Sequence, residues 1–267
     1  MNSALPKKVE LVLFLVLGAG TIFRSEARCF ADSGLDALLD RTGRGVEKFW
    51  QQVASYACTE LVTQEKIGKK NKTEYKKDSA FDYLALARVQ ENDLFVEELR
   101  MPKKKVSDKA KQPSLLATNG FPTLLLIFHP KYRENYRYEM GSGCGEKSGM
   151  ICVRFEHISA KPSTCVLQLR DRLYPLELQG TAWIDAESGS IQKMAAGLKS
   201  PMKDINIEAL NIEVTYKSQA FPPDSDGKWL PATAVINVQT ALQHWRNTHR
   251  YSEYKRFTVE SLESKPR

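Results

Sequence analysis

Histidine is scarce in this chain: four in 267 residues, His129, His157, His244 and His249. None pair at a four-residue step and no His-Glu-x-x-His string occurs, which excludes a helix-borne zinc site of the protease kind. A Gly-x-Ser-x-Gly elbow is also missing, so there is no serine-hydrolase signature. The stretch Gly141 to Ser148 approaches a phosphate-binding loop but carries Glu146 where the second glycine belongs. A carboxylate there repels phosphate, and the following residues read as a strand rather than the required helix. Asp185 and Glu187 sit in a polar turn and read as solvated, not as an acid–base pair. No apolar run approaches the roughly 20 residues of a spanning helix, and a mean hydropathy of −0.41 excludes a polytopic membrane protein. No fixed-period repeat and no interdomain linker appear. Residues 28–267 are therefore read as one domain, with no metal, no cofactor and no catalytic set assigned.

What is present is ordinary for a globular chain: 42% hydrophobic and 27% charged residues, with a formal charge of +7. The first 27 residues differ. Lys7 and Lys8 precede the apolar run Leu11 to Ala19, and Ser25-Glu26-Ala27 supplies small residues at −3 and −1. That is the layout of a secretory signal peptide, cleaved after Ala27 or, with Cys29 and Ala31 in the same roles, after Ala31. Arg28 before Cys29 counts against lipidation. The mature chain is expected to be periplasmic or secreted, where disulfides are permitted. The five cysteines, Cys29, Cys58, Cys144, Cys152 and Cys165, do not match zinc-module spacings. The turn Gly145 to Gly149 sets Cys144 and Cys152 across from one another as an expected bridge. Cys58 with Cys165 is the default second pair.

Residues 33–55 have a helical period, with Leu35, Leu38, Leu39, Val46, Phe49, Trp50 and Val53 at steps of three and four. Gly43 and Gly45 are expected to divide this helix in two. From Tyr56 the period falls to two. Leu210, Ile212, Val214 and Tyr216 alternate with polar neighbours, and a second strand over 234–242 sets Ala234, Ile236, Val238 and Leu242 on one face. Phe81, Tyr83 and Ala85, then Tyr136, Tyr138 and Met140, then Ile151, Val153 and Phe155 follow the same pattern. Turns are expected at Gly68 to Lys72, Glu91 to Asp93, Gly141 to Gly149, Ser188-Gly189 and Pro222 to Gly227, and a loop at Pro102 to Pro113. One segment breaks the alternation. Pro122 to Phe128 has no polar face beyond Thr123, so it is either a central buried strand or a short helix plugging a concave sheet. The basic clusters Lys66 to Lys77 and Lys103 to Lys111 lack interleaved aromatics. They read as solvated turns or an attraction to an anionic membrane surface, not as a nucleic-acid site.

Gly180-Thr181-Ala182-Trp183-Ile184-Asp185, a turn, then Ile191 is similar to the Gly-x-x-Trp-Ile-Asp hairpin of the periplasmic lipoprotein-carrier superfamily, the LolA/LolB-like group. Leu230-Pro231 at a strand start and the closing Tyr254-Lys255-Arg256-Phe257 also resemble this group, over most of residues 35–260. The Lys-rich insert and five cysteines depart from the simplest carriers. The resemblance implies a mainly β fold: a curved antiparallel sheet or half-open β-barrel with an N-terminal helix and an internal plug helix. It also implies an apolar concave cavity that takes an acyl chain without catalysis. The lining is then expected from Phe81, Tyr83, Leu125, Phe128, Tyr136, Tyr138, Leu210, Ile212, Val214, Tyr216, Ile236 and Val238. The expected partner is a lipid or acylated lipoprotein. The alternative is a non-enzymatic interaction module of a cell-envelope complex.

Overall fold

The computed structural model describes residues 23–90, 93–103, 121–142, 149–169, 172–222 and 224–257. Helix α1 (Phe23–Gln52) leads into β1 (Tyr56–Ile67), β2 (Thr73–Gln90) and β3 (Asp93–Pro102). A short helix α2 (Phe121–Leu124) runs on as a 3-10 turn, Leu125–Phe128, and a second, Pro130–Asn135. Then come β4 (Tyr136–Met140), β5 (Met150–His157) and a small hairpin of β6 (Val166–Leu169) and β7 (Arg172–Pro175). The chain closes with β8 (Leu178–Asp185), β9 (Ile191–Leu198), β10 (Ile207–Phe221), β11 (Asp224–Thr240) and β12 (His244–Arg256). No helix among the described residues is long and apolar enough to cross a membrane.

Ten strands form one antiparallel sheet in the order β3-β2-β1-β12-β11-β10-β9-β8-β5-β4. The end strands β3 and β4 do not pair with each other, and the sheet is curved and unclosed, as the resemblance implies. Register aligns the apolar residues of successive strands on a single inner face. One row runs Val153, Ala182, Met194, Val214, Ala234. The next runs Tyr138, Phe155, Gly180, Ala196, Ile212, Ile236. Gly180 is required there: a Cβ on it would meet Ala195 O at 2.0 Å and the Phe155 ring at 2.8 Å.

Helix α1 packs on this face through Leu38, Leu39, Thr42, Val46 and Trp50, one stripe at helical spacing. The expected break at Gly43 and Gly45 does not occur; α1 is continuous through both. Gly43 is instead a point of close approach, where a Cβ would meet Pro130 Cγ at 3.1 Å and Phe128 O at 3.3 Å. A glycine that a helix spends on packing looks, in sequence, like a breaker. Arg133 ties the second 3-10 turn to α1, its two Nη atoms each 2.5 Å from Asp36 and Asp40. Both carboxylates are well exposed, so this fork positions the helix more than it stabilises it.

Two turn boundaries also differ from expectation. The β10–β11 turn is tighter than Pro222 to Gly227, because Phe221 already pairs with Asp224. At the other end β11 stops at Thr240, and Leu242 lies in the following turn, 91% exposed, rather than on the buried face. Residues 1–22 of the expected leader (1–27), the loop beyond Lys103 and Cys144 lie outside the described residues; the leader's last five, Phe23 to Ala27, begin α1. Cys58 and Cys165 are both free and buried, so the default second bridge is not formed.

Candidate functional site

The segment Phe121–Phe128 is a helical turn and a 3-10 turn, not a central strand. Phe121, Pro122, Leu124, Leu125, Leu126, Ile127 and Phe128 are all buried, Leu126 and Ile127 completely. It therefore fills the inner face of the sheet from within, as the plug reading expects. Phe128 meets Phe155 edge-on at 5.9 Å and Tyr138 at 5.4 Å. The Tyr138 hydroxyl donates to Ile127 O, satisfying a carbonyl that the short turn leaves open. His129 ends the element: its ring Nδ1 accepts from Lys131 N at 3.2 Å and so caps the next turn.

Most of the expected lining residues converge on this plug. Tyr83, Tyr136, Leu210, Val214, Tyr216 and Ile236 are buried in one cluster with Leu125 and Phe128. Tyr138, Ile212 and Val238 are part-buried and pack against the same cluster. Phe81 faces the same way, opposite Glu60, but is only half-buried and stands outside it. At one end, between α1, the plug and the sheet, remains a cavity of about 70 Å³. Its walls include Val46, Phe49, Leu125, Ile191 and Trp229, with the hydroxyl-bearing Thr42 and Tyr216. Both hydroxyls are buried and have no hydrogen-bond partner among the described residues. Ligand pockets usually offer about 300–1,000 Å³, so this cavity, with the plug in place, is too small for an acyl chain.

Toward β12, β1 and β3 the inner face changes character. Glu60 is fully buried, and its carboxylate receives Arg100 Nε at 2.6 Å, Arg100 Nη2 at 3.0 Å and His249 Nδ1 at 2.7 Å. Arg100 Nη2 also donates to Glu98 at 2.8 Å, a side chain with no exposure. The guanidinium lies 5.2 Å over the Tyr83 ring. Phe121, the first residue of the plug, covers this cluster: its ring is 4.8 Å from that of His249. These four charged or polar residues were not singled out as a site in the sequence. His249 reads there as isolated, and Glu60 and Arg100 are ordinary surface types. The available signal is that Glu60 falls in the buried phase of β1, with Cys58, Val62 and Gln64.

Burial works to raise the Glu60 carboxyl, but the hydrogen bonds from His249 and Arg100 outweigh it and hold it below the usual range. Burial pushes His249 down from 6.5, against the pull of Glu60, and favours a neutral ring donating to the carboxylate. In both cases the folded state binds fewer protons than the unfolded chain, so stability rises with pH. The His249 contribution is complete above about pH 6.5 and is lost as pH falls through its depressed value; Glu60 adds a further loss below about pH 4.5. Urea midpoints are thus expected to fall from pH 7 to pH 5, and His249→Gln to flatten that slope. A wild-type midpoint constant over this range contradicts the assignment.

No group of three or more metal-ligating side chains occurs among the described residues. A cysteine–histidine nucleophile is not supported by either free thiol: burial pushes Cys58 up to about 12 and Cys165 up to about 11, leaving both protonated at neutral pH. His157 is buried beside Tyr136, ring centroids 5.3 Å apart, and His244 contacts Asn237 on the outer face. The Gly-x-x-Trp-Ile-Asp hairpin is structural. Asp185 accepts from the amide and hydroxyl of Ser188, both at 2.8 Å, Trp183 carries Lys193 over its ring at 5.0 Å, and Gly180 admits Phe155.

Fold and site define an open antiparallel half-barrel whose inner face is closed by its own apolar segment. No family model matches the chain, and no curated protein matches it. Among solved structures it is similar to a DUF1329 family protein from Desulfovibrio piger, at 11% identity and a TM-score of 0.42, over 85% of this chain and 94% of that one.

Proposed function

We propose that this chain is an exported, non-catalytic protein that takes an acyl chain of a lipid or lipoprotein against the inner face of its half-barrel. The observation that carries the reading is the plug. An element apolar on every side, seated in an unclosed sheet, occupies the space that a hydrocarbon chain would fill. Its walls already match a chain chemically, and a small cavity lies beside it at Leu125 and Trp229. Displacement of Phe121–Phe128 then exchanges one set of apolar contacts for another. A bridge between Cys144 and Cys152 fits the same exported setting.

Affinity is expected to come from methylene burial, at about 0.8 kcal/mol each, or roughly fourfold per added CH₂ until the groove is full. Competition of neutral monoacylglycerols of increasing length against a fluorescent acyl probe tests this, at low and high salt. Affinity should climb with length and hold steady with salt. Weak binding that collapses with salt would instead assign the interaction to lysines such as Lys69, Lys70 and Lys72 on the β1–β2 turn, screened within about 10 Å at 0.1 M.

The alternative, an interaction module of an envelope complex, draws on the β6–β7 hairpin. Val166 and Leu173 there are 53% and 65% exposed. Absence of saturable chain binding at any length would favour it.

A further inference from the structure

We propose that the cavity between α1, Leu125 and Trp229 seats a neutral oxygen-bearing head group, an alcohol or an ester, at the end of the bound chain. This rests on the acyl-chain reading and deepens it. Leu125 belongs both to the plug and to the cavity wall, so a chain lying in place of the plug has one end here.

Two hydroxyls are the first ground. Thr42 and Tyr216 both line the cavity, at 0% and 4% exposure. Neither Thr42 Oγ1 nor the Tyr216 hydroxyl has a hydrogen-bond partner among the described residues. Buried polar atoms are nearly always matched, and leaving them unmatched is costly. The two come from different sides of the cavity, helix α1 and strand β10. Each hydroxyl can donate or accept, so one guest oxygen could satisfy both. Burial pushes the Tyr216 hydroxyl far up, which keeps it a donor at any working pH.

The second ground is the absence of charge. No Asp, Glu, Lys, Arg or His stands among the described residues that line the cavity. Arg41, next to Thr42 in sequence, is not in the wall and donates Nη2 to Ala186 O at 3.1 Å. A carboxylate, phosphate or ammonium drawn in would lose its water and meet no counter-charge. A neutral oxygen loses less and regains it at the two hydroxyls.

Size and position are the third ground. The cavity is about 70 Å³, where an apolar cavity of about 150 Å³ admits benzene. It therefore suits the end of a molecule. Gly45, another wall residue, is exposed, so the cavity reaches the surface beside α1. The half-buried rings of Phe49 and Trp229 also line it, and they offer apolar contact to the first methylenes of the chain.

The test uses the intact protein at pH 7, with 1-dodecanol and 1-chlorododecane each displacing a fluorescent acyl probe. The two compounds share a chain and differ only at its end. The readout is the ratio of their displacing concentrations, measured for the wild type, Tyr216→Phe and Thr42→Val. The ratio should move against dodecanol by about tenfold in Tyr216→Phe, the scale of one buried hydrogen bond. It should move the same way in Thr42→Val, with chlorododecane displacing as before in both. Since neither hydroxyl has a protein partner, both variants should keep the wild-type urea midpoint. A clear drop in either midpoint would show that the hydroxyl serves the fold and would remove the first ground. Dodecylamine, charged at this pH, should displace more weakly than dodecanol; a stronger effect overturns the neutral head. A ratio unchanged in both variants means that the hydroxyls meet water only, and it overturns the head-group site while the acyl-chain reading stands. Displacement by none of the three compounds overturns both.

Discussion

Replacing Arg100 with Met is expected to destabilise the fold by about 3–5 kcal/mol, the usual cost of breaking a buried ion pair from one side. Two carboxylates without exposure, Glu60 and Glu98, would lose the guanidinium that meets them at 2.6–3.0 Å. His249 would remain as the donor to Glu60, and Glu98 would lose the charged partner on its own strand. The control is Arg88→Ala, which breaks a pair with Glu97 of similar length on half-exposed side chains. That should cost less than about 1 kcal/mol. Converting the whole cluster, with Glu60→Gln and Glu98→Gln added to Arg100→Met, should recover much of the loss, because the penalty lies in unpaired charge rather than in a missing attraction. Chemical denaturation of the four proteins tests this. Equal midpoints for Arg100→Met and Arg88→Ala would show that the cluster is solvated.

Phe128→Glu is the second large effect. Phe128 is 3% exposed, between Phe155 and Tyr138. An ionised carboxylate there is strongly unfavourable. Either the domain fails to fold or the plug is expelled and the inner face is exposed to solvent. Phe128→Ala, which leaves only a cavity, should cost about 3–5 kcal/mol by comparison. A Phe128→Glu protein with unaltered thermal stability would mean that the segment is exposed, and the plug model would fail with it.

The two effects differ in how readily sequence reveals them. Phe128 stands in a run with almost no polar residue, and burial on all sides follows from that alone. The alternation of Leu210, Ile212, Val214 and Tyr216 likewise puts the inner face on view, because period two is a local property. What a residue touches is not local. Glu60 and His249 are 189 positions apart and meet because β1 pairs with the last strand of the sheet. Arg100 arrives at the same carboxylate by a different route, across β2 from β3. No spacing rule joins positions 60, 98, 100 and 249. Gly43 shows the converse. A local rule applied correctly predicts a break, and a tertiary contact with Phe128 and Pro130 overrides it. Leu242 is a boundary error of the same origin, since the strand ends where the hairpin to β12 turns rather than where apolar residues run out.

The central claim, that a hydrocarbon chain occupies the inner face in place of Phe121–Phe128, is tested most directly by photo-crosslinking. A neutral acyl probe with a diazirine along its chain would be bound, irradiated and mapped by peptide mass spectrometry. The account predicts adducts on inner-face residues such as Tyr83, Val214, Tyr216 and Ile236, competed away by unlabelled chain and accompanied by faster amide exchange across 121–128. Adducts confined to exposed apolar positions such as Leu173 and Leu242, or labelling of the inner face with the protection of 121–128 unchanged, would contradict it.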